Sequence, residues 1–292
     1  MILFGIDLSQ VEARIQLMLA AGVPGFYGTD IGKECIRLAT AHPMEFDIHR
    51  WVAAVALGKS EADISDEPTK DGPSERQIGK FTGYGWLRGM GADTMSNQIL
   101  KAGFAVTPET CQRRLDKLNI RLPAIKDGFF RDVQEQVLRY RGLGTTWGAI
   151  WRCDWQPLGE ELYGVAYSFP PVHEARDLIN QEGFIPLDAA IERRKLKPHA
   201  TRPTPRIHVH GHDSLLVSVH PDDAWDVACF IDRTLGSSVR RYRAGDLQVP
   251  VTYQLGETWK ARHEFKRLPD EKEFRDAAWD CEHYAQAYNV AS

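Results

Sequence analysis

Met-Ile-Leu-Phe-Gly-Ile-Asp-Leu-Ser-Gln-Val-Glu-Ala-Arg, residues 1–14, is the stretch that decides the fold of this 292-residue chain. Residues 1–7 form a short apolar run that ends in a carboxylate, which is typical of a buried strand with Asp7 at its open end. From Val11 to Ala21 the apolar residues recur with helical spacing. The stretch therefore predicts a strand that carries an acidic side chain and is followed by a helix.

A second carboxylate lies far downstream between two strand-like segments. Asp213 separates the apolar segments 207–210 and 215–219, which predicts a hairpin whose turn presents this side chain. Pairing with the N-terminal strand would bring Asp213 close to Asp7, and two aspartates that share two metal ions are the minimum protein contribution to phosphoryl transfer. Two simpler interpretations stay open here, because Asp213 also fits an ordinary turn aspartate and Asp7 an N-cap.

Four long side chains between these strands recur at intervals of four residues and so share one face of a predicted helix. A capping-box pattern at Ser74 and Gln77 starts this helix, which runs to about Met90. Two cations one turn apart suit a triphosphate, and an aromatic ring can stack on a base or sugar. A solvated face is the ordinary interpretation of such a stripe, but each internal glycine costs about 1 kcal/mol relative to alanine and indicates close approach of a partner, for example a template strand. The stripe is Arg76, Lys80, Tyr84 and Arg88, and the glycines are Gly79, Gly83, Gly85 and Gly89.

The rest of the chain changes from helical to strand-rich texture along its length. We therefore predict an α+β fold in which a helical middle interrupts a discontinuous, sheet-bearing domain. Further predicted helices are 48–57, 107–118, 122–140 and 221–235, predicted strands are 143–152, 206–210, 215–220 and 247–255, and predicted loops are 22–46, which includes one short helix, 58–72 and 195–205.

Composition narrows the class of protein. The hydrophobic fraction of 43% and charged fraction of 26% are ordinary for a globular protein, and no apolar run reaches the roughly 18 residues of a membrane span. We therefore expect a cytoplasmic protein without membrane association. Five scattered cysteines, none in a C-x-x-C pair, favour reduced thiols over disulfides or a zinc site. The net charge of -4 is unlike that of a free-standing nucleic-acid binder.

Three segments together resemble the family A DNA polymerases, the group of bacterial DNA polymerase I and its phage relatives. Residues 7–14 are similar to motif A, residues 76–90 to the motif B fingers helix, and His212-Asp213 to motif C. The resemblance covers nearly all of the chain, and its supporting matches are Asp47-Ile48-His49, Thr146-Trp147-Gly148 and residues 256–259.

The family resemblance implies a polymerase palm with an antiparallel sheet, interrupted by a mostly helical fingers subdomain. Residues 1–25 would be palm, residues 26–141 fingers with the motif B helix at about 74–90, and residues 142–292 palm again. This last part would contain the motif C hairpin at about 206–220 and a C-terminal strand and tail.

The resemblance also implies template-directed DNA synthesis with two Mg²⁺ ions, for which Mn²⁺ can substitute, in a bacterial or phage-infected cytoplasm. Its substrates would be primer-template DNA and dNTPs. Lys80 would also protonate the pyrophosphate, Glu12 would exclude a ribose 2′-hydroxyl, and His212 would lie near the primer terminus as a further catalytic residue. The implied metal ligands are Asp7, Asp213 and the Leu8 carbonyl, the dNTP-binding residues are Arg76, Lys80, Tyr84, Glu12, Gln10 and His49, and the nucleic-acid-binding residues are Arg14, Gly85, Arg88 and Gly89.

Several residues depart from the family pattern. Ser214 stands where the family usually has Glu, and Arg88 stands where it has the second aromatic of the fingers helix. Tyr84 replaces the Phe of many members, which implies acceptance of 2′,3′-dideoxynucleotides. The chain begins six residues before the motif A aspartate. We therefore expect that this chain lacks a thumb and an exonuclease domain. A second chain of a split polymerase would supply these domains and a basic surface.

Three alternatives remain at this stage. His-Asp-Ser at residues 212–214 resembles motif C of single-subunit RNA polymerases, although the bulk of Glu12 argues against ribonucleotides. A non-catalytic DNA-binding or assembly subunit would explain the departures but not the retained acidic and basic motif residues. A transition-metal site would use His208, His210 and His212, which alternate along one predicted strand face.

Overall fold

A computed structural model describes residues 1–68, 72–193, 196, 202–258 and 260–290, with side chains described up to residue 283. By its contacts the chain divides into two compact units. The sheet unit comprises Met1–Val11, Glu174–Arg240 and Gln248–Ser292, and the helical unit comprises Glu12–His173 and Arg241–Leu247.

The chain contains both helices and strands, and the strands are concentrated at the N-terminus and in the second half. Short π-helical segments extend several helices, at Ala124–Phe130, Ile179–Phe184 and Asp232–Gly236, and Glu61–Asp63 is a 3₁₀ turn. The helices are α1 (Val11–Gly22), α2 (Asp30–Thr40), α3 (Ile48–Leu57), α4 (Glu75–Leu87), α5 (Ala92–Lys101), α6 (Pro108–Arg121), α7 (Arg131–Tyr140), α8 (Glu160–Leu178), α9 (Ile185–Glu192), α10 (Pro221–Ile231) and α11 (Glu271–Val290). The strands are β1 (Ile2–Leu8), β2 (Gly142–Gly144), β3 (Ile150–Arg152), β4 (Arg206–His210), β5 (Ser214–Val219), β6 (Val239–Tyr242), β7 (Gly245–Gln248), β8 (Val251–Gly256) and β9 (His263–Phe265).

The sheet unit is built on a five-stranded antiparallel sheet in the order β4-β5-β1-β8-β9. Strand β1 is the central strand of this sheet, and every second side chain along it is buried. Ile2, Phe4, Ile6 and Leu8 are all buried, and strand alternation places them on one face. Phe4 packs edge-to-face on Phe274 of α11, with ring centroids 5.8 Å apart. The opposite face of β1 therefore carries the alternate residues, including Asp7.

The helical unit depends on very close packing of α3 against α4. Gly79 and Gly83 of α4 make this approach possible, because a Cβ atom at Gly79 would lie 2.1 Å from the His49 carbonyl oxygen and one at Gly83 would lie 3.3 Å from Val52. Farther along α4, Trp86 packs near Trp51 with centroids 6.4 Å apart. Two of the glycines that suggested close approach to a template strand are therefore used to pack one helix on another.

Most of the regular elements that the sequence predicts are present. The helix at 48–57 has the predicted bounds, and β1, α1, β4, β5 and α10 lie where they were expected. Helix α4 begins as predicted after Ser74, whose hydroxyl accepts the Gln77 N–H at 3.1 Å, but it ends at Leu87 instead of Met90. No helix among the described residues is long and apolar enough to cross a membrane.

The predicted domain boundaries differ from the two units. Helix α1 was assigned to the palm, yet from Glu12 onward it belongs to the helical unit, where the buried Arg14 donates to the Ala39 and Ala41 carbonyls. Residues 142–173 also belong to the helical unit.

Two other regions correct the predicted elements. The predicted C-terminal strand at 247–255 is present as β8, but the segment expected to be a tail contains β9 and helix α11. Residues 160–192, for which no element was predicted, are helical although they include Pro170 and Pro171. The predicted basic loop at 195–205 lies mostly outside the described residues, as does Trp259 of the predicted 256–259 match.

Candidate active-site residues

Backbone pairing brings Asp7 and Asp213 to neighbouring positions at one end of the sheet. Asp7 is opposite Ser214 in the β1–β5 register, and the Leu8 N–H donates to the Asp213 carbonyl oxygen at 2.9 Å. Both aspartates are partly exposed. The predicted meeting of the two motif strands is therefore present in the sheet unit.

The immediate surroundings of Asp213 add a second ionisable group. The Nε2 atom of His212 lies 3.6 Å from a carboxylate oxygen of Asp213, and the His212 side chain is 53% exposed. An exposed contact of this length contributes little to stability. His212 therefore lies beside Asp213 at the same end of the sheet.

The donor chemistry at this end of the sheet suits a hard divalent cation. The side chains of Asp7 and Asp213 and the Leu8 carbonyl offer oxygen ligands, and Mg²⁺ is commonly held by one or two carboxylates together with water and substrate phosphates. Among the described residues, no group of three or more His, Cys, Asp or Glu is placed to hold a metal ion. The residues present fit Mg²⁺ that is shared with a phosphate-bearing substrate better than an all-protein metal cage.

The alternative metal site on a row of histidines is not supported. The register of β4 against β5 shifts between Ile207 and Val209, which indicates a bulge at His208. His210 instead stacks on Phe184, with centroids 4.8 Å apart. Among the described residues no three potential ligands, these histidines included, are placed to hold a metal ion, so the structure gives no support to this alternative.

Helix α4 presents its cations in different environments. The Nε atom of Arg76 donates to the Asp47 carboxylate at 2.5 Å, and Asp66 lies 3.9 Å away. Lys80, one turn further, is exposed, and Tyr84 is 49% exposed. The predicted stripe is therefore present, but its first cation already binds a carboxylate, a contact that no local sequence pattern predicted.

The pKa values of Asp47 and His49 are both lowered beside this cationic face. Burial alone would raise the pKa of Asp47, but the hydrogen bond and charge of Arg76 hold this pKa below its usual value. Burial lowers the pKa of His49 to about 4, with the charges of Arg76 and Lys80 acting in the same direction and Asp47 opposing them. The His49 imidazole is therefore neutral at pH 7 and can act as a hydrogen-bonding group beside Arg76 and Lys80.

Arg88, which departs from the family pattern, connects two predicted substrate-binding residues. Its guanidinium carbon lies 3.8 Å from the centre of the Tyr84 ring, and its Nη2 atom donates to Glu12 at 3.0 Å. The Arg88 and Glu12 side chains are 27% and 25% exposed. Arg88 is thus placed to orient Glu12 and Tyr84, a contact for which the sequence contained no signal beyond the departure itself.

Three residues predicted to contact nucleic acid are placed differently. Arg14 is fully buried and its guanidinium binds backbone carbonyls. Gly85 is covered by Met95, and a Cβ at Gly89 would lie 2.6 Å from Tyr167. Gly89 adopts a φ of 66°, so its glycine is required by the turn that ends α4. Arg14 and Gly85 therefore have packing roles, whereas Gly89 is exposed and its predicted nucleic-acid contact stays a prediction.

Gln10, which was predicted to bind the nucleotide, has an unusual backbone conformation. It lies in the turn between β1 and α1 with a φ of 55°, a region that non-glycine residues rarely occupy. Left-handed backbone at such residues costs of the order of 1 kcal/mol and is often found at functional sites. The strain lies three residues after Asp7 and supports a functional interpretation of this turn.

The likeness of this chain to known proteins lies in its three-dimensional structure. No protein-family profile matches the chain, and no curated protein is similar to it in sequence. The POL domain of Pol1 from M. smegmatis, solved in complex with DNA primer-template and dNTP, is similar in structure with a TM-score of 0.65 and 20% sequence identity. The match covers 90% of this chain and 41% of that one, so this chain spans less than half of its neighbour. The α+β fold expected from the sequence is confirmed, and the chain has the fold of a polymerase domain.

Proposed function

We propose that this chain catalyses template-directed DNA synthesis, adding dNTPs to a primer 3′-hydroxyl as a family A polymerase. The observation that carries the proposal is the pairing of β1 with β5, which places Asp7 and Asp213 side by side at one end of the sheet. The structural neighbour with primer-template DNA and dNTP gives this arrangement a chemical context. The sequence motifs supply the remaining functional groups.

Each residue has a distinct part in the proposed reaction. Asp7, Asp213 and the Leu8 carbonyl would hold Mg²⁺, which would supply activation of the attacking hydroxyl and charge neutralisation at the phosphates. His212 orients the primer terminus. These groups act on the nucleophile and on the α-phosphate of the dNTP.

The helical unit supplies the groups that recognise the nucleotide. Arg76 and Lys80 bind the triphosphate, and Lys80 donates a proton to the leaving pyrophosphate. The neutral His49 imidazole hydrogen-bonds to a phosphate oxygen. Glu12 excludes a 2′-hydroxyl, and the exposed ring of Tyr84 contacts the sugar and permits 2′,3′-dideoxynucleotides.

The proposed substrate conflicts with the charge of the chain. The net charge is -4, whereas duplex DNA binding depends on neutralising phosphates with basic side chains. We therefore propose a second protein chain that contributes a basic DNA-binding surface, as in a split polymerase. In that arrangement this chain provides the palm and fingers functions and its partner the thumb.

Primer extension tests the proposed function directly. The purified chain is incubated with a 5′-labelled primer on a template, the four dNTPs and Mg²⁺, with and without proteins that co-purify from the native source. Templated extension that disappears in Asp213→Ala is the expected result. DNA binding without extension under every condition would overturn the proposal in favour of a non-catalytic subunit, and extension with rNTPs in preference to dNTPs would identify an RNA polymerase.

A further inference from the structure

The pair formed by Glu12 and Arg88 joins the ends of two helices. Glu12 lies in the first turn of α1, and Arg88 is the C-cap residue of α4. Negative charge is favoured at a helix N-terminus and positive charge at a C-terminus. Both helix ends therefore stabilise the charges that meet in the contact of 3.0 Å between Arg88 and Glu12.

The same guanidinium group also covers the Tyr84 ring. Its central carbon is 3.8 Å from the ring centroid, well within the roughly 6 Å limit of a cation–π contact. A planar guanidinium can stack on a ring while its N–H groups bind a carboxylate, which a lysine ammonium cannot do equally well. One face of Tyr84 and the carboxylate of Glu12 are thus held by a single side chain.

Partial burial makes this arrangement more than a surface ion pair. Only about a quarter of each charged side chain is exposed, at 27% for Arg88 and 25% for Glu12. Charges in such surroundings attract one another more strongly than fully exposed charges do, and the exposed quarter of each side chain leaves the pair open to screening by salt. Arg88 therefore contributes to holding the Glu12 carboxylate in place.

We infer that Arg88 is a positioning residue for sugar selection, which fixes Glu12 and Tyr84 so that 2′-deoxynucleoside triphosphates are accepted and ribonucleoside triphosphates are rejected. The inference rests on the proposed function, because Glu12 and Tyr84 contact a nucleotide sugar only in that setting. It assigns a role to the one fingers-helix residue whose identity departs most from the family pattern. Selection between the two sugars then depends on an ion pair, and so on ionic strength.

Single-nucleotide incorporation measures this selection. The ratio of kcat/KM for a dNTP to kcat/KM for the matching rNTP is determined for the wild type, Arg88→Ala, Arg88→Lys, Glu12→Ala and the double variant of Arg88→Ala with Glu12→Ala. We expect Arg88→Ala to lower the ratio at least about tenfold, the size of a single pocket contact, and Arg88→Lys to lower it less. In the Glu12→Ala background, Arg88→Ala should have a much smaller effect, because most of its action passes through the carboxylate, and the remainder measures its contact with Tyr84.

Salt supplies a readout that a merely structural role would not move. Raising NaCl from about 0.05 M to about 0.3 M should lower the wild-type ratio by screening the pair, and should leave the Arg88→Ala ratio unchanged. Arg131→Ala is the matched control, because Arg131 forms an exposed ion pair with Glu135 in the same unit, with side chains 75% and 59% exposed. This control should keep both the wild-type ratio and its salt dependence.

The outcomes separate the inference from the proposed function. A wild type that extends DNA primers while Arg88→Ala changes dNTP and rNTP incorporation equally overturns the inference alone. A wild type that extends no primer overturns the proposed function and the inference together. A lower ratio of dNTP to rNTP incorporation in Arg88→Ala, with the melting temperature unchanged, supports the inference.

Discussion

The sheet unit and the helical unit position their candidate functional residues by different means. In the sheet unit, Asp7 and Asp213 lie together because β1 pairs with β5 in one register, and the connecting contact is the backbone hydrogen bond from Leu8 to Asp213. In the helical unit, Arg76 and Arg88 are held by the side chains of Asp47 and Glu12. Backbone pairing serves the carboxylates, whereas ion pairs serve the cations.

This difference decides what a substitution changes. Where the backbone sets the position, a side chain can be replaced without loss of the fold, so activity and stability respond independently. Where side chains hold one another, one replacement alters charge, position and stability together. The following experiments compare these two behaviours, beginning with the largest expected effect.

Asp213→Asn tests the part of the site that depends on backbone pairing. We expect primer extension to fall at least about 10³-fold, because metal stabilisation of the transition state is worth several kcal/mol. The free energy of unfolding should change by less than about 0.5 kcal/mol, since the partly exposed side chain does not make the β1–β5 bond. Single-turnover extension and denaturant unfolding provide the two measurements.

Asp226→Asn is the control for this change, because Asp226 is an exposed acid on α10 in the same unit. It should retain full extension. A loss of stability in Asp213→Asn as large as its loss of activity would contradict the separation between backbone and side-chain control.

Gly79→Ala tests the close packing on which the cationic face depends. The added Cβ would lie 2.1 Å from the His49 carbonyl oxygen, so α3 and α4 must move apart. We expect a loss of about 3 kcal/mol in unfolding free energy, at the upper end of overpacking effects. Chemical denaturation of the variant gives this value directly.

Gly164→Ala offers a matched comparison within the same unit. Gly164 lies inside α8, and its added Cβ would meet nothing within 4 Å. The substitution should stabilise the protein by up to about 1 kcal/mol through helix propensity. Equal effects of the two substitutions would show that propensity, and not helix contact, controls position 79.

The sequence predicted those parts of the site that depend on local pattern. The alternation of β1 and the capping box of α4 are short-range signals, and both elements are present. Spacing also placed Arg76, Lys80 and Tyr84 on one helical face. These features depend on residues that are close in the chain, which periodicity detects.

Contacts between distant residues were beyond the sequence pattern. Glycines on α4 indicated a close approach, but only the structure identifies α3 as the partner at Gly79. The contacts of Arg76 with Asp47 and of Arg88 with Glu12 join residues 29 and 76 positions apart. No local pattern encodes such pairs, and α8 was missed because its two prolines and its glycine are typical of loops.

His49 allows the helical unit to be probed without any substrate. Its folded-state pKa is about 4, below the ordinary value of 6.5, so the unfolded chain takes up the proton first as the pH falls. Its contribution should therefore destabilise the fold progressively from pH 6.5 towards pH 4, by about 2.5 kcal/mol at pH 4.5. The difference in unfolding free energy between the wild type and His49→Gln should change by this amount between pH 7.5 and pH 4.5. A difference that stays constant across this range would mean that the imidazole is not shielded from water.

Asp47→Asn tests whether the ion pair of Arg76 competes with a triphosphate. The asparagine keeps the N-cap of α3, in which Asp47 accepts the His49 N–H at 2.8 Å, because Asn and Asp cap helices about equally well. It removes the negative charge that binds Arg76. We expect KM for dNTP to fall about threefold with little change in kcat, consistent with a partly exposed ion pair worth under about 1 kcal/mol.

Arg76→Ala in the Asp47→Asn background decides the cause of such a change. If release of Arg76 lowers KM, the gain must vanish when Arg76 is absent, because Lys80 is then the one remaining residue that we propose binds the triphosphate. If Asp47→Asn lowers KM equally with Arg76 present and with Arg76→Ala, the effect would instead be due to the reduced negative charge near the triphosphate. A KM that rises in Asp47→Asn would mean that Asp47 orients Arg76 for binding. The ion pair in the helical unit would then hold its cation in place before substrate binds, as the strand register in the sheet unit does for the carboxylates.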